Sequence, residues 1–215
     1  MLPDRITALP LVLPVFVDTV DSSRAMVDAP RRVMRAPLLY AGGKLATPRL
    51  TLEPLTPGHA DTMYEGFADP ALYLWVNADP PKDVEDLRAR FSRIAEPYAP
   101  DGELWLNWAV RFTDGGVYAG LVEATVRPDR VVFLAYYVFT NYMRRGIARE
   151  ACTAVIDHLW RAYDAAEIRA DTDFRNVPSR CLVEALGFTR RTRHIVTTLR
   201  GAPSYDYRYR LKRPV

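Results

Sequence analysis

Between Tyr136 and Ala151 the chain reads Tyr-Tyr-Val-Phe-Thr-Asn-Tyr-Met-Arg-Arg-Gly-Ile-Ala-Arg-Glu-Ala, and no other stretch restricts the fold as much. An apolar run from Val131 to Phe139 stops at Thr140-Asn141, and two arginines and a glycine follow. Helical spacing then begins, with Ile147, Ala151, Val155 and Leu159 on one stripe. A buried strand therefore feeds a helix through a short basic turn. The first N–H groups of such a helix have no intrahelical partner, and with the positive end of the helix dipole they form an anion site. Gly146 lets an anion approach the backbone without a Cβ in the way. Arg144, Arg145 and Arg149 add positive charge. The turn is read as a seat for the diphosphate of a cofactor.

The flanking sequence builds a frame around this turn. Arg49–Leu55 alternates as a half-buried strand, Thr56 is an N-cap candidate with Pro57 at the first helical position, and a helix follows over Ala60–Phe67. Pro80-Pro81 stops the chain before an amphipathic helix, Asp83–Ala95, with Val84, Leu87, Phe91 and Ile94 on one stripe. Strands are predicted over Leu104–Phe112, Val117–Val126 and Val131–Phe139, joined by Asp114-Gly115-Gly116 and Pro128-Asp129. The helix of the opening motif runs to about Ala165. A short strand over Ile168–Thr172, a helix over Asn176–Leu186 capped by Gly187, and strands over Arg193–Leu199 and Tyr205–Leu211 complete the order. This is an α+β domain with a mixed sheet covered by helices. Residues 1–46 form a Pro-interrupted extension: a mobile arm, an added strand or a dimer contact all fit it.

Composition narrows the function classes. A net charge of +3 is too slight to imply nucleic acid, although Arg175 to Val215 holds ten Lys/Arg against two Asp/Glu. That segment is either a basic face for an acidic partner or a set of solvated strand faces. Cys152 and Cys181 give no disulfide framework and, with His59, His158 and His194, no metal spacing, so no metal is expected. The apolar run Ile6–Val17 contains Pro10 and Pro14, is shorter than a membrane span and is poor as a signal peptide. A cytoplasmic setting and no membrane partner are expected. No Walker loop, Gly-x-Gly-x-x-Gly or Gly-x-Ser-x-Gly is present.

The element order resembles the GCN5-related N-acetyltransferase (GNAT) superfamily, and within it the Rim-type (RimJ/RimL-like) branch that acetylates ribosomal-protein N-termini. Pro48–Leu55 resembles that branch's opening strand. Tyr136–Val138 with Asn141–Ala151 resembles its acetyl-CoA signature, and Asn176, Ser179 and Gly187-Phe188 its Asn-x-x-Ser…Gly-Phe segment. The resemblance implies a GNAT fold over 47–215, with a mixed sheet of six to seven strands, a central antiparallel meander and about four helices. It also implies acetyl-CoA as co-substrate and direct transfer of acetyl to a primary amine, on a protein N-terminus or a small molecule. Nucleic acid is not an expected partner, and a homodimer is allowed. Tyr137, Val138, Met143, Arg144, Arg145, Gly146, Ile147, Ala148, Arg149, Asn176 and Ser179 are the implied cofactor-binding positions. Two positions depart from the family pattern: Met143 stands where a polar Gln or Arg is usual, and Phe133 where Rim-type enzymes often carry a glutamate base.

The amine must be neutral to attack, so a base has to take its proton. Glu123 is the candidate, read either as that base or as a solvent-facing strand carboxylate. The oxyanion needs a fixed donor, and the resemblance implies a backbone N–H on the strand before the motif, expected near Val122 or Glu123. The resemblance implies that Ser179 is the hydroxyl meeting the departing sulfur, and its own position fits a helix cap equally. Tyr136 is an acid, a tunnel wall or plain core, and Asn176 a pantetheine contact or a helix start. Glu150, in the first turn of the motif helix, is read as structural.

Overall fold

The computed structural model describes residues 39–99 and 102–214, and the backbone alone at 192–194. Its sheet begins with β1 (Leu45–Ala46) and β2 (Leu50–Pro54). After β2 come α1 (Ala60–Phe67) and α2 (Val84–Ala95), then the meander β3 (Leu104–Phe112), β4 (Tyr118–Val126) and β5 (Val131–Val138). The chain continues through α3 (Ile147–Ala162), β6 (Glu167–Asp173) and α4 (Val177–Ala185), and ends in the hairpin β7 (Thr189–Leu199) and β8 (Ala202–Lys212).

The eight strands lie in the order β1-β2-β3-β4-β5-β6-β8-β7, with β5 and β6 parallel and the other neighbours antiparallel. The sequence led us to expect six or seven strands. The additional one is β1, two residues inside the 1–46 extension whose pairing with Leu52 and Thr51 is tertiary and leaves no periodic signal. Residues 1–38 of that extension lie outside the described residues. The hairpin also starts earlier than expected, at Thr189. Thr189-Arg190 carries no apolar alternation, and its strand conformation comes from register with Arg210 and Tyr209 on β8.

Two apolar layers cover the sheet. On one face Val122, Leu134 and Val132 pack against Ile147, Cys152, Val155 and Leu159 of α3 and Val183 of α4. On the other, Ala109 and Leu121 pack against Met63 and Phe67 of α1 and Leu87, Phe91 and Ile94 of α2. Alternation along β5 splits that strand between the layers: Tyr136 and Val138 border the α3 side, Tyr137 the α1–α2 side.

Candidate active site

Parallel pairing of β5 with β6 covers three positions, Val131↔Glu167, Val132↔Ile168 and Phe133↔Arg169. Beyond Phe133 the strands part. Ala170–Asp173 keeps its ladder to β8, and Leu134–Val138 keeps its ladder to β4, so the edges facing the gap are unpaired with each other. The gap opens into a cleft of about 2080 Å³ that both faces of the sheet share. Met143, Arg144, Gly146, Ile147, Ala148, Arg149, Asn176 and Ser179 line it on the α3–α4 side. Trp75, Asp171, Asp173, Asp206 and Arg208 also line it, and Tyr136, Tyr137 and Val138 form its β5 wall. The cleft thus collects nearly all of the cofactor positions read from the sequence.

At the mouth on the α3 side lies the basic turn that leads into α3. Arg144 (φ 58°) and Gly146 (φ 76°) are left-handed, and Gly146 is the N-cap of α3. None of the N–H groups of Arg144 through Arg149 has a hydrogen-bond partner among the described residues. Glu150 is structural, as read: its carboxylate accepts from Thr47 Oγ1 (2.6 Å), Arg49 N (3.0 Å) and Arg49 Nε (2.7 Å). Burial opposes its charge, but these bonds hold it below the usual carboxylate range. Arg145 departs from expectation, since its guanidinium lies over the Tyr142 ring and its side chain is not part of the cleft wall. The exposed Met143 borders the cleft without a polar group to offer.

Tyr136 and Ser179 meet across the cleft. Their hydroxyls are 2.6 Å apart, and Thr172 Oγ1 is 3.5 Å from Ser179 Oγ. Burial pushes the Tyr136 phenol up, with the Ser179 bond acting in the opposite sense. Ser179 is not the helix cap. Asn176 is, accepting from Ser179 N at 3.2 Å, which leaves the Ser179 hydroxyl free for Tyr136.

Glu123 is buried, with 6% of its surface exposed, so the solvent-facing alternative fails. It lies on the α1–α2 face, outside the main cleft, in a cavity of about 30 Å³ shared with Tyr73, Arg90, Leu121 and Tyr137. That volume holds about one water molecule. With no hydrogen-bond partner for its side chain among the described residues, burial alone pushes its carboxyl up to about 7. The oxyanion expectation is also corrected. Val122 and Glu123 sit mid-strand in β4, which is paired on both sides, whereas the unpaired edge at the gap belongs to β5 beyond Phe133.

The sequence reading missed a carboxylate set on β6 and β8. Asp171 is paired through both oxygens with Arg208 (2.9 and 2.9 Å), and Asp173 likewise with Arg175 (2.9 and 2.8 Å). Asp206 lines the same cleft with no hydrogen-bond partner among the described residues. Burial, then the neighbouring Asp171 and Asp173, push it up to about 6 against the pull of Arg175. Strand register across β6–β8 creates this set, and no local spacing announces it.

A sheet that divides between β5 and β6 beside a helix start of this kind is the architecture of an acetyltransferase domain. The family model of the acetyltransferase (GNAT) domain matches residues 49–189, and the chain belongs to that family. No curated protein is similar enough in sequence to count as a relative. Among solved structures, a GCN5-related N-acetyltransferase from Brucella melitensis is 18% identical, with a TM-score of 0.69 over 79% of this chain and 78% of that one. Ribosomal-protein-S5-alanine acetyltransferase from Vibrio fischeri is 19% identical (TM-score 0.68, 79% of this chain, 96% of that one). An acetyl transferase from Salmonella typhimurium that modifies the N-terminal serine of ribosomal protein L7/L12 is 13% identical (TM-score 0.67, 78% and 97%). At these identities the likeness concerns the fold.

Proposed function

We propose that residues 47–215 are an acetyl-CoA-dependent N-acetyltransferase acting on a primary amine by direct attack in a ternary complex. The observation that carries this reading is the row of N–H groups from Arg144 to Arg149, without a hydrogen-bond partner among the described residues, at the mouth of the β5–β6 gap. These groups suit the diphosphate of coenzyme A. A pantetheine arm running from there along the gap would bring its thioester to Tyr136 and Ser179. The amine approaches from the α1–α2 side, where Asp206 offers an ammonium a carboxylate with no hydrogen-bond partner among the described residues.

In the reaction the neutral amine nitrogen bonds to the thioester carbonyl carbon, and the carbon–sulfur bond then breaks. Glu123, poised near 7, takes the proton of the amine through a water in its small cavity. The Ser179–Tyr136 pair supplies a proton to the departing thiolate. Backbone N–H groups on the open edge of β5 are placed to face the oxyanion.

A Rim-type acceptor, the α-amino group of a protein N-terminus, is supported by the sequence motifs and by the two neighbours whose names specify ribosomal proteins. A nucleic-acid role for the basic C-terminal segment finds no such support. Arg175, Arg200, Arg208, Arg210 and Arg213 each form an ion pair with an acid from earlier in the chain. Free cysteines at 152 and 181 fit a cytoplasmic setting. The test is thiol release from acetyl-CoA over peptides with varied N-termini, amino acids, polyamines and aminoglycosides. Acetyl-CoA binding without release on any amine would overturn the catalytic reading.

A further inference from the structure

We propose that Arg49, just ahead of β2 and far from the motif in sequence, is a positioning residue that sets the direction of the N–H groups in the anion turn. The inference rests on the coenzyme A reading of that turn.

Arg49 Nη1 donates to the carbonyl oxygen of Arg145 at 3.2 Å, while Nε and Nη2 of the same guanidinium hold Glu150 Oε2, each at 2.7 Å. Among the described residues no other side chain hydrogen-bonds to the backbone of 143–148. A planar trans peptide points its C=O and its N–H in opposite directions. Fixing the Arg145 carbonyl on the β2 side therefore turns the Gly146 N–H away from β2. The cleft wall agrees with this orientation, since Arg144 and Gly146 line it and Arg145 does not.

The turn needs such a hold. Arg144 and Gly146, both at positive φ, bracket the tethered carbonyl, and a side chain at Arg144 is rarely accommodated there without support. Successive backbone N–H groups in a turn of this kind form a concavity for anions. The guanidinium also packs close to Gly146, where a Cβ would stand 3.4 Å from Arg49 Nη2. Glu150, tied in addition to Thr47 Oγ1 and Arg49 N, anchors the arginine to the first turn of α3. Arg49 thus joins strand, turn and helix in one rigid fork, which a single-headed ammonium cannot reproduce.

The test compares the affinities of coenzyme A and pantetheine, which lacks the diphosphate and nucleotide, by calorimetry on the wild type, Arg49→Ala and Arg49→Lys, with melting temperatures alongside. The wild type should prefer coenzyme A strongly. Arg49→Ala should lose about tenfold or more of that preference, the worth of a misdirected hydrogen bond to a charged group. Arg49→Lys keeps the charge, so a fall in its preference at near-native melting temperature reports orientation and not electrostatics. Should Arg49→Ala fail to fold, Arg49→Lys carries the test alone. A preference retained in the folded variants, with only the melting temperature lowered, would reduce Arg49 to a structural tie. A wild type that binds both ligands alike would overturn this proposal and the diphosphate reading together.

Discussion

The hydroxyls of Tyr136 and Ser179 stand 2.6 Å apart, joining β5 to α4 across the gap where the sheet divides. Two hydroxyls at that distance share one proton between them and present the other to whatever occupies the gap. Ser179→Ala and Tyr136→Phe are each expected to lower kcat by about 100-fold, the lower reach of general acid catalysis. The double variant should be little worse than the worse single one, because the two groups act as a unit. Steady-state kinetics on the three variants decide this, and fully multiplicative losses would separate the two roles.

Glu123 gives a prediction with two readouts of opposite sign. As the base it must be ionised, so kcat/KM should rise with pH through about 7 in the wild type. Glu123→Gln should abolish that limb and reduce turnover by about 10²-fold or more, with little change in acetyl-CoA affinity. Its stability runs the other way. A carboxyl held above its unfolded value is stable while neutral, and that stability is lost as pH rises from the ordinary carboxylate range toward 7. Ionising it above pH 7 therefore costs on the order of 3 kcal/mol, and Glu123→Gln should melt higher than the wild type at pH 8. An active glutamine variant would point to another base.

Asp206 should govern the acceptor and not the cofactor. Asp206→Asn removes this charge and should raise the acceptor KM about tenfold, as expected for one hydrogen-bonded charge, while acetyl-CoA binding is retained. Neutralising Asp171 or Asp173 would instead strand Arg208 or Arg175 without its carboxylate, so these variants should show up first in the melting temperature. An acceptor KM unmoved by Asp206→Asn would place the ammonium elsewhere.

Gly146→Val tests the turn itself. A β-branched residue at φ 76° is strained by about 1–3 kcal/mol, and its side chain would crowd Arg49. Coenzyme A affinity should fall steeply, and because α3 is held by its buried stripe the fold should persist. Calorimetry against coenzyme A and a far-ultraviolet dichroism melt separate the two effects.

Much of the frame was legible in the sequence because its signals are local. Periodicity located α2 and α3, Gly and Pro marked the meander turns, and the run from Val131 to Met143-Arg-Arg-Gly146 announced a strand, an anion turn and a helix. The strand at Leu45–Ala46 and the early start of β7 were missed because pairing partners, not their own residues, make them strands. For the site, residue types were informative and directions were not. Arg145 was in the right segment, yet its side chain faces Tyr142. Glu123 was singled out by residue type alone, and its side of the sheet and its burial depended on register.

By itself, then, the sequence determined the order of the elements and the place of the basic turn, since helix starts, glycines and apolar runs act over a few residues. Tertiary structure alone decided where β5 and β6 part, that Tyr136 reaches Ser179, that no arginine among the described residues hydrogen-bonds Asp206, and that Arg49 holds the Arg145 carbonyl. Each of these is a contact across tens of residues, fixed by strand register and by which face of the sheet a side chain takes. A one-residue shift in register would reverse all of the faces.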